Sequence, residues 1–397
     1  MKPNHAYPFA ATCVTALLAL APAPAARAAH QVIDLGTLDG LTSYGTAVNN
    51  SGVAVGATTR ADASIDGFIW NGTQTAIDPL PGDPQCHAMD INDAGDVVAM
   101  SFEHGAAEVH GLLWQNGAVT NLGNISPRGL NAADVVVGSL VTSTAALPHV
   151  DHAAMWQSGT ITDLGTLGGD FSFAAAINTA GQIVGLSYLA GNTTTRATLW
   201  QNGTPLDLGT LGGSASQAYD ISDSGHVAGY AQTAAGEVHP CRFDVSPAGI
   251  VNARIDLGVL GGAHGVAYGV NEAGDVVGTS NNAAFLWRGG TLTDLNTYLP
   301  AGSNWHLEAA WSINNDGTIV GTGTRLGFQH AFMIRNQVPG DCDGDGDVDL
   351  ADAVCFVACL AGPNAAPPAN CSTFDFDIDG DVDLQDFATI QNLIAAP

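Results

Sequence analysis

Between about Ile33 and Ile334 the chain is a succession of short apolar runs, alternating with polar or small residues and punctuated by Gly and Asn. Alternation with a period of two, bounded by turn formers, predicts β-strands. One unit recurs. Its best copy reads Asp256-Leu257-Gly258-Val259-Leu260-Gly261-Gly262, then Ala267 to Asn271, then Gly274-Asp275-Val276-Val277-Gly278, then Ala284-Phe285-Leu286-Trp287. Four short β segments fit this pattern.

The opening element returns at Asp34, Asp163 and Asp207, with worn copies at Pro79, Asn121 and Asp294, making seven starts. The second element supplies Asn49, Asn92, Asn131, Asn178, Ser222, Asn271 and Asn314, and the third ends at Trp70, Trp114, Trp156, Trp200, Phe243, Trp287 and Ile334. The stretch from Asp34 to Ile334 is 301 residues, or 43 for each of seven units, the length of a four-stranded propeller blade. The first Asp-Leu-Gly strand has no Trp strand before it, and the strand His330 to Ile334 has no Asp-Leu-Gly after it. An N-terminal strand at about Gln31 to Leu38 completing the seventh blade removes both deficits and leaves no bare sheet edge. The expected fold is therefore an all-β seven-bladed propeller. Asn71-Gly72, Asn116-Gly117 and Asn202-Gly203 suit two-residue type I′ hairpin loops. The Asn-x-x-Gly spacing, as in Asn178 to Gly181 and Asn314 to Gly317, suits a type I turn ending in a left-handed Gly.

The units resemble the HAF-repeat family of extracellular repeats, through His330-Ala331-Phe332 and the Leu-Gly-Thr-Leu-Gly-Gly runs at Leu164 to Gly169 and Leu208 to Gly213. That resemblance implies export and a repetitive β fold but no reaction. Asp66, Arg196 and Ala283 stand where the triplet would place His.

After Val338-Pro339-Gly340 the composition changes: from Asp341 onward there are twelve Asp and no Glu, Lys or Arg. Asp341, Asp343, Asp345, Asp349 and Asp352 occupy positions 1, 3, 5, 9 and 12 of a calcium loop, with Gly346 at 6, Asp347 at 7 and Val348 at 8. Asp375, Asp377, Asp379, Gly380, Asp381, Val382, Asp383 and Asp386 repeat the pattern without a gap. A hard cation takes six to eight oxygens, alternate residues of a tight loop point inward, and Gly permits the sharp turn. Position 7 is expected to offer its backbone carbonyl and position 9 to act through a water. Two Ca²⁺ ions are expected. Apolar stretches at Ala353 to Leu360 and Phe387 to Ile394 predict one short helix after each loop.

Loop and helix twice, joined by Gly362 to Asn370, resembles the dockerin module of extracellular multi-enzyme complexes. The resemblance implies a cohesin-like partner, read through loop positions 10 and 11, commonly Ser-Thr, and through basic residues along the helix. Here those positions are Leu350-Ala351 and Leu384-Gln385 with no basic residue after them, so the metal sites carry over and the cohesin-binding face does not.

The N-terminus carries Lys2, an apolar run from about Phe9 to Leu20 and an A-x-A site at Ala26-Arg27-Ala28, which reads as a signal peptide. No stretch reaches the length of a membrane-spanning helix. The chain beyond Ala28 keeps eight Arg and no Lys against 38 acidic residues, a surface that disfavours nucleic acid and anionic membrane. In an oxidising compartment the crowded Cys342, Cys355, Cys359 and Cys371 favour two disulfides among three connectivities, with Cys359 to Cys371 preferred because it closes the linker between the loops. That some stay reduced is the alternative.

His110, His152, His239 and His330 stand four residues before the Trp position. A His ring can bind metal, but a residue repeated at one blade position is more often structural, and the repeated Asp reads likewise as a strand-end acceptor. The repeated aromatics suit packing between blades, leaving Trp305 and Trp311 as the better sugar-stacking candidates. No nucleophile elbow, zinc helix, phosphate loop or dinucleotide fingerprint occurs. The expected organisation is a leader over 1–28, a propeller over 29–335, a linker over 336–340 and a dockerin-like calcium domain over 341–397. The expected function is a secreted or cell-surface binding or scaffold module for glycan or protein, tethered through the calcium domain to a cohesin-like or cell-surface component. The alternative is a secreted polysaccharide-degrading enzyme, which requires Asp83, His87, Glu108, His264, His306 or Glu308 to converge at one end of the channel.

Overall fold

The computed structural model describes residues 30–103, 109–143, 150–300, 302–336, 340–341, 348, 350–363, 365, 371, 374–376 and 381–394. The expected leader, Glu108 and the loop residues Asp343, Asp345, Asp347, Asp349, Asp377 and Asp379 lie outside them.

Seven four-stranded antiparallel sheets form the propeller. Six are sequential meanders. The seventh joins the N-terminal strand His30–Asp34 to the last strand Phe328–Asn336, with Val32 facing Ile334 and Asp34 facing Phe332. The reciprocal deficit in the repeats is resolved by this closure. Val48, Ala54 and Phe68 of the first blade share one buried cluster with Leu35, Val320, Ala331 and Met333 of the last, so the seam is packed like any other blade junction. Phe68, Trp200, Phe243, Phe285 and Phe332 are buried in these junctions, which agrees with the packing role expected of the repeated aromatics.

The Asn-x-x-Gly turns form as expected: Gly52 N–H donates to Asn49 O at 3.1 Å, and Gly52, Gly95, Gly181, Gly225, Gly274 and Gly317 all have positive φ. Asp134, with φ 56°, takes the Gly place in the third blade. Each Asn also ties its turn together, as Asn314 does when its Oδ1 accepts from Asp316 N at 3.1 Å and Thr318 N at 2.8 Å. Its Nδ2 donates to Asn49 O at 3.0 Å, the first blade receiving from the last. The same link runs from Asn49 to Asn92, Asn92 to Asn131, Asn131 to Asn178, Asn178 to Ser222 and Asn271 to Asn314, at 3.1 to 3.3 Å. Ser222 has no amide to continue the ring. There Glu272 reaches back, and its carboxylate accepts from Asp223 N at 2.7 Å and Ser224 N at 2.8 Å.

The hairpin loops follow the type I′ expectation at Asn116-Gly117 and Asn202-Gly203, where both residues have positive φ. Asn71-Gly72 departs from it: Trp70 pairs with Gln74, so the loop holds three residues and only Gly72 is left-handed. Ser158-Gly159 takes the two-residue form instead.

Near the C-terminus lie α1 (Leu350–Cys359) and α2 (Leu384–Ile394), each starting three residues earlier than the apolar pattern suggests. The last positions of each calcium loop already make the first helical turn. Phe356, Phe374, Val382 and Ile390 form a small core, and Cys359 is bonded to Cys371, the expected pair. Cys355 is also disulfide-bonded, to a partner outside the described residues, whereas Cys86 and Cys241 are buried thiols.

Candidate functional site

Two places concentrate chemistry. In the C-terminal segment Asp352, Asp386, Asp381 and Asp341 are buried, at 0, 1, 4 and 5% exposure. Buried carboxylates demand donors or a cation. Asp386 Oδ1 accepts from Phe376 N at 2.7 Å and Oδ2 from Asp383 N at 2.9 Å, clasping the second loop onto α2. Asp383 caps α2 by accepting from Gln385 N at 2.7 Å, a direct role that the expectation of a water-mediated contact did not include. Carboxylate oxygens of Asp381, Asp383 and Asp386 lie within 4.8 Å of one another. No Lys or Arg exists anywhere in the segment to offset them. An all-oxygen donor set of this charge fits a hard divalent cation, and Ca²⁺ would supply the positive charge that lets these groups pack together. The paired position-10 residues Leu350 and Leu384 are each 75% exposed.

The second place is the propeller channel. Every inner strand has a β-bulge three residues before its Asn or Ser, with a second register shift further upstream in blades four, five and seven, and the extra residue at the shared position is Thr46, Met89, Arg128, Ala175, Tyr219, Tyr268 or Trp311. A bulge re-aims one side chain without breaking the sheet. All seven bulge residues line one cavity of about 500 Å³. A smaller one, about 200 Å³, lies against the ring of turn Asn residues.

The larger cavity is chemically lopsided. His87 and Arg128, from neighbouring blades, line it with His87 Nε2 and Arg128 Nε buried and without a hydrogen-bond partner. Arg60, Arg196, Arg242, Arg288 and Arg325 pair with Asp residues, but among the described residues no ion pair involves Arg128, whose guanidinium rests on the Phe173 ring at 5.3 Å. Burial lowers the Arg128 pKa, and burial followed by the Arg128 charge pushes His87 down to about 4, so His87 is neutral near pH 7. Tyr219, Tyr268 and Trp311 form an aromatic arc, with ring centroids 5.1 Å apart in the first pair and 4.3 Å in the second.

One residue after each bulge, blades two and five carry Asp90 and Asp220 where the others have Ala, Gly or Ser. Asp90 accepts from Leu130 N at 3.0 Å and Ile91 N at 2.9 Å, and Asp220 accepts from Val270 N at 2.9 Å and Ile221 N at 2.8 Å. Each thus ties its blade to the next. Burial pushes Asp90 up to about 7 and Asp220 up to about 6, against backbone hydrogen bonds that oppose the rise.

The repeated His residues are structural. Nδ1 of His152, His239 and His330 lies 2.8 to 3.1 Å from Asp163, Asp256 and Asp34, while His110 meets Asp83 at 3.0 Å. Asp163 also accepts from Gly165 N at 2.7 Å, the strand-end role expected of the repeated Asp. The two non-repeat Trp candidates part company. Trp305 packs edge-on against His330 and Phe332, whereas Trp311, 38% exposed, faces the channel. Of the six residues needed for the enzyme reading, His87 alone among the described ones lines the cavity. Asp83 is held by His110, and His306 Nε2 meets Asn282 O at 2.9 Å. Arg128, Asp90 and Asp220 have no place in the sequence-based expectation, although the two Asp depart from the Ala, Gly or Ser of the other copies and Arg128 is the one charged residue at its repeat position.

Residues 339–395 match the family described as the dockerin type I domain. No curated protein matches the chain. Among solved structures, a streptogramin B lyase is similar at 13% identity and TM-score 0.48, covering 78% of this chain and 98% of that one. The β-propeller domain of the Trilobed protease from Pyrococcus furiosus follows at 10% identity and TM-score 0.49, with coverage of 75% and 96%. TolB from Acinetobacter baumannii gives 13% identity and TM-score 0.42, with coverage of 75% and 64%. These likenesses concern fold alone. No helix of the described residues is long and apolar enough to cross a membrane.

Proposed function

We propose that the chain is an exported binding module of a dockerin-organised assembly. Its leader spans 1–28, a ligand-binding propeller spans 29–335, a linker spans 336–340, and a dockerin domain over 341–397 holds two Ca²⁺ ions through the aspartates of its two loops. The observation that carries this reading is the coincidence of the dockerin match with the convergence of Asp381, Asp383 and Asp386. Dockerin domains meet cohesins, so the partner is a cohesin-like receptor. With Leu350, Val354 and Val357 at 75, 71 and 63% exposure on one side of α1, the contact it makes is apolar instead of hydroxyl-led. The propeller then carries a glycan- or protein-binding channel to wherever that receptor sits outside the cell.

The test presents the full chain to an immobilised cohesin-type receptor with calcium or excess chelator, and incubates it with a panel of complex polysaccharides monitored for soluble product. Capture that requires calcium, with retention on a polysaccharide and no product, is the expected result. Capture indifferent to chelator overturns the docking reading, and product lost on replacing Asp90 or Asp220 turns the propeller into an enzyme.

A further inference from the structure

The channel cavity is built in two halves. Blades two and three contribute His87 and Arg128, whose inward nitrogens have no protein partner. Blades five to seven contribute Tyr219, Tyr268 and Trp311, packed on one another edge-on in the first pair and closer to face-on in the second, and all three line the cavity. A half-buried guanidinium whose Nε is out of reach of water and which has no ion-pair partner among the described residues is an unfavourable arrangement unless something anionic arrives. Its neighbour His87 is neutral at pH 7, so the half-site offers one full positive charge and one neutral imidazole edge. A single charge with neutral support matches one singly charged carboxylate group better than a phosphate or sulfate group carrying two charges. The aromatic wall takes a flat or ring-shaped body by stacking, and about 500 Å³ is the volume of a small-ligand site.

We propose that this cavity binds a carboxylate carried on a ring, with the carboxylate on Arg128 and His87 and the ring face against Tyr268 and Trp311. Two sources share that chemistry: an aromatic acid such as ferulate and a uronic acid such as a galacturonate dimer. The inference rests on the reading of the propeller as a binding module and names its ligand class. It also accounts for Arg128 being placed on a bulge, where an unpaired strand residue can be aimed into the channel without opening the ladder.

The experiment uses the full chain with calcium and titrates ferulate, digalacturonate, their methyl esters and a neutral galactose dimer, by calorimetry and by quenching of Trp fluorescence. Binding of at least one acid is expected, at least tenfold tighter than its own ester, with quenching that is lost in Trp311→Leu. Arg128→Met should weaken the acid at least tenfold while leaving the unfolding midpoint unchanged or raised, because it removes an uncompensated charge. If that variant fails to fold, the acid-to-ester ratio on the parent protein decides alone. Ferulate without galacturonate, or the reverse, identifies the source and supports the site in either case. Equal affinity for acid and ester, or an Arg128→Met that binds as the parent does, overturns the proposal. Binding of the neutral dimer with no acid, or no binding of any probe, overturns it too, whereas the binding-module reading stands or falls separately on retention by the polysaccharide panel.

Discussion

Asp90 offers a test of how a buried charge is tolerated in a ring of repeats. Its carboxyl titrates near 7 in the folded protein against an ordinary 3.8, so the fold prefers its protonated form. The stability linked to this group is fully present below about pH 4 and is lost as pH rises through about 7. The interval from 3.8 to about 7 corresponds to at most about 4 kcal/mol, an upper limit because by accessible area the residue is only partly buried. In Asp90→Asn the amide oxygen can still accept from one of Leu130 N and Ile91 N, but the other loses its acceptor, at about 1 to 3 kcal/mol. The variant should therefore be less stable than the parent at pH 4 by about 1 to 3 kcal/mol. At pH 8 it should be as stable or more so, since the charge penalty of about 4 kcal/mol is gone. Urea unfolding of both proteins at pH 4, 6 and 8 measures this crossing. His87 titrates in both and cancels from the difference. A destabilisation of the same size at every pH would refute the argument. Asp220, with a folded value of about 6 and Glu272 as its charged neighbour, should show a smaller crossing in the same direction. The double variant should change by less than the sum of the two, because Asp220 contributes to the rise at Asp90.

Asn314→Ala removes two acceptor contacts and the link to Asn49 O, two of the three fully buried, and should lower unfolding free energy by about 2 to 4 kcal/mol; Asn314→Ser, which copies the fifth blade, should lose less, both by urea titration. Excess chelator should abolish hydrogen-exchange protection over 350–394 while the near-ultraviolet signal of the propeller tryptophans persists, and retained protection would contradict metal-coupled folding. Asp386→Ala, which also removes the clasp on Phe376 N and Asp383 N, should halve the calcium bound per chain at saturation, measured by atomic absorption after dialysis.

The fold was legible because each repeat is punctuated by residues with a fixed mechanical duty. Asn49, Asn92, Asn131, Asn178, Asn271 and Asn314 recur because an amide is needed to hold both its own turn and the next blade, and the missing strands at the two ends revealed the closure. Asn71-Gly72 was misread because dipeptide chemistry does not report how many residues the flanking strands leave between them. The helix starts were placed late because Leu350 and Leu384 belong at once to the loop pattern and to the first helical turn. Spacing alone singles out Asp381, Asp383 and Asp386, whose oxygens the fold brings within 4.8 Å of one another. The channel was legible only in part: Trp311 and His87 stand out as binding and channel candidates, but Arg128 does not, since a bulge interrupts the alternation from which facing is read.

The bulge explains why seven similar blades can enclose a site that is not seven-fold symmetric. A ladder residue is constrained by its partner and by the blade beside it, whereas a bulge residue is unpaired and faces a cavity, so it can vary from Ala175 to Arg128 to Trp311 while the sheet stays unchanged. Ala174 and Ala175 put this to a direct test, being adjacent in one strand. Ala174 is 0% exposed in the core between blades, and Ala175 is the bulge residue lining the cavity. Ala174→Gln inserts a long polar side chain into packed apolar surroundings and should cost at least about 3 kcal/mol, through overpacking and burial of an amide without partners. Ala175→Gln extends the same side chain into the channel and should change the unfolding free energy by less than about 1 kcal/mol. Equal destabilisation by the two, measured by urea unfolding at pH 7, would show that the bulge positions belong to the scaffold and would remove the ground for assigning the channel's chemistry to them.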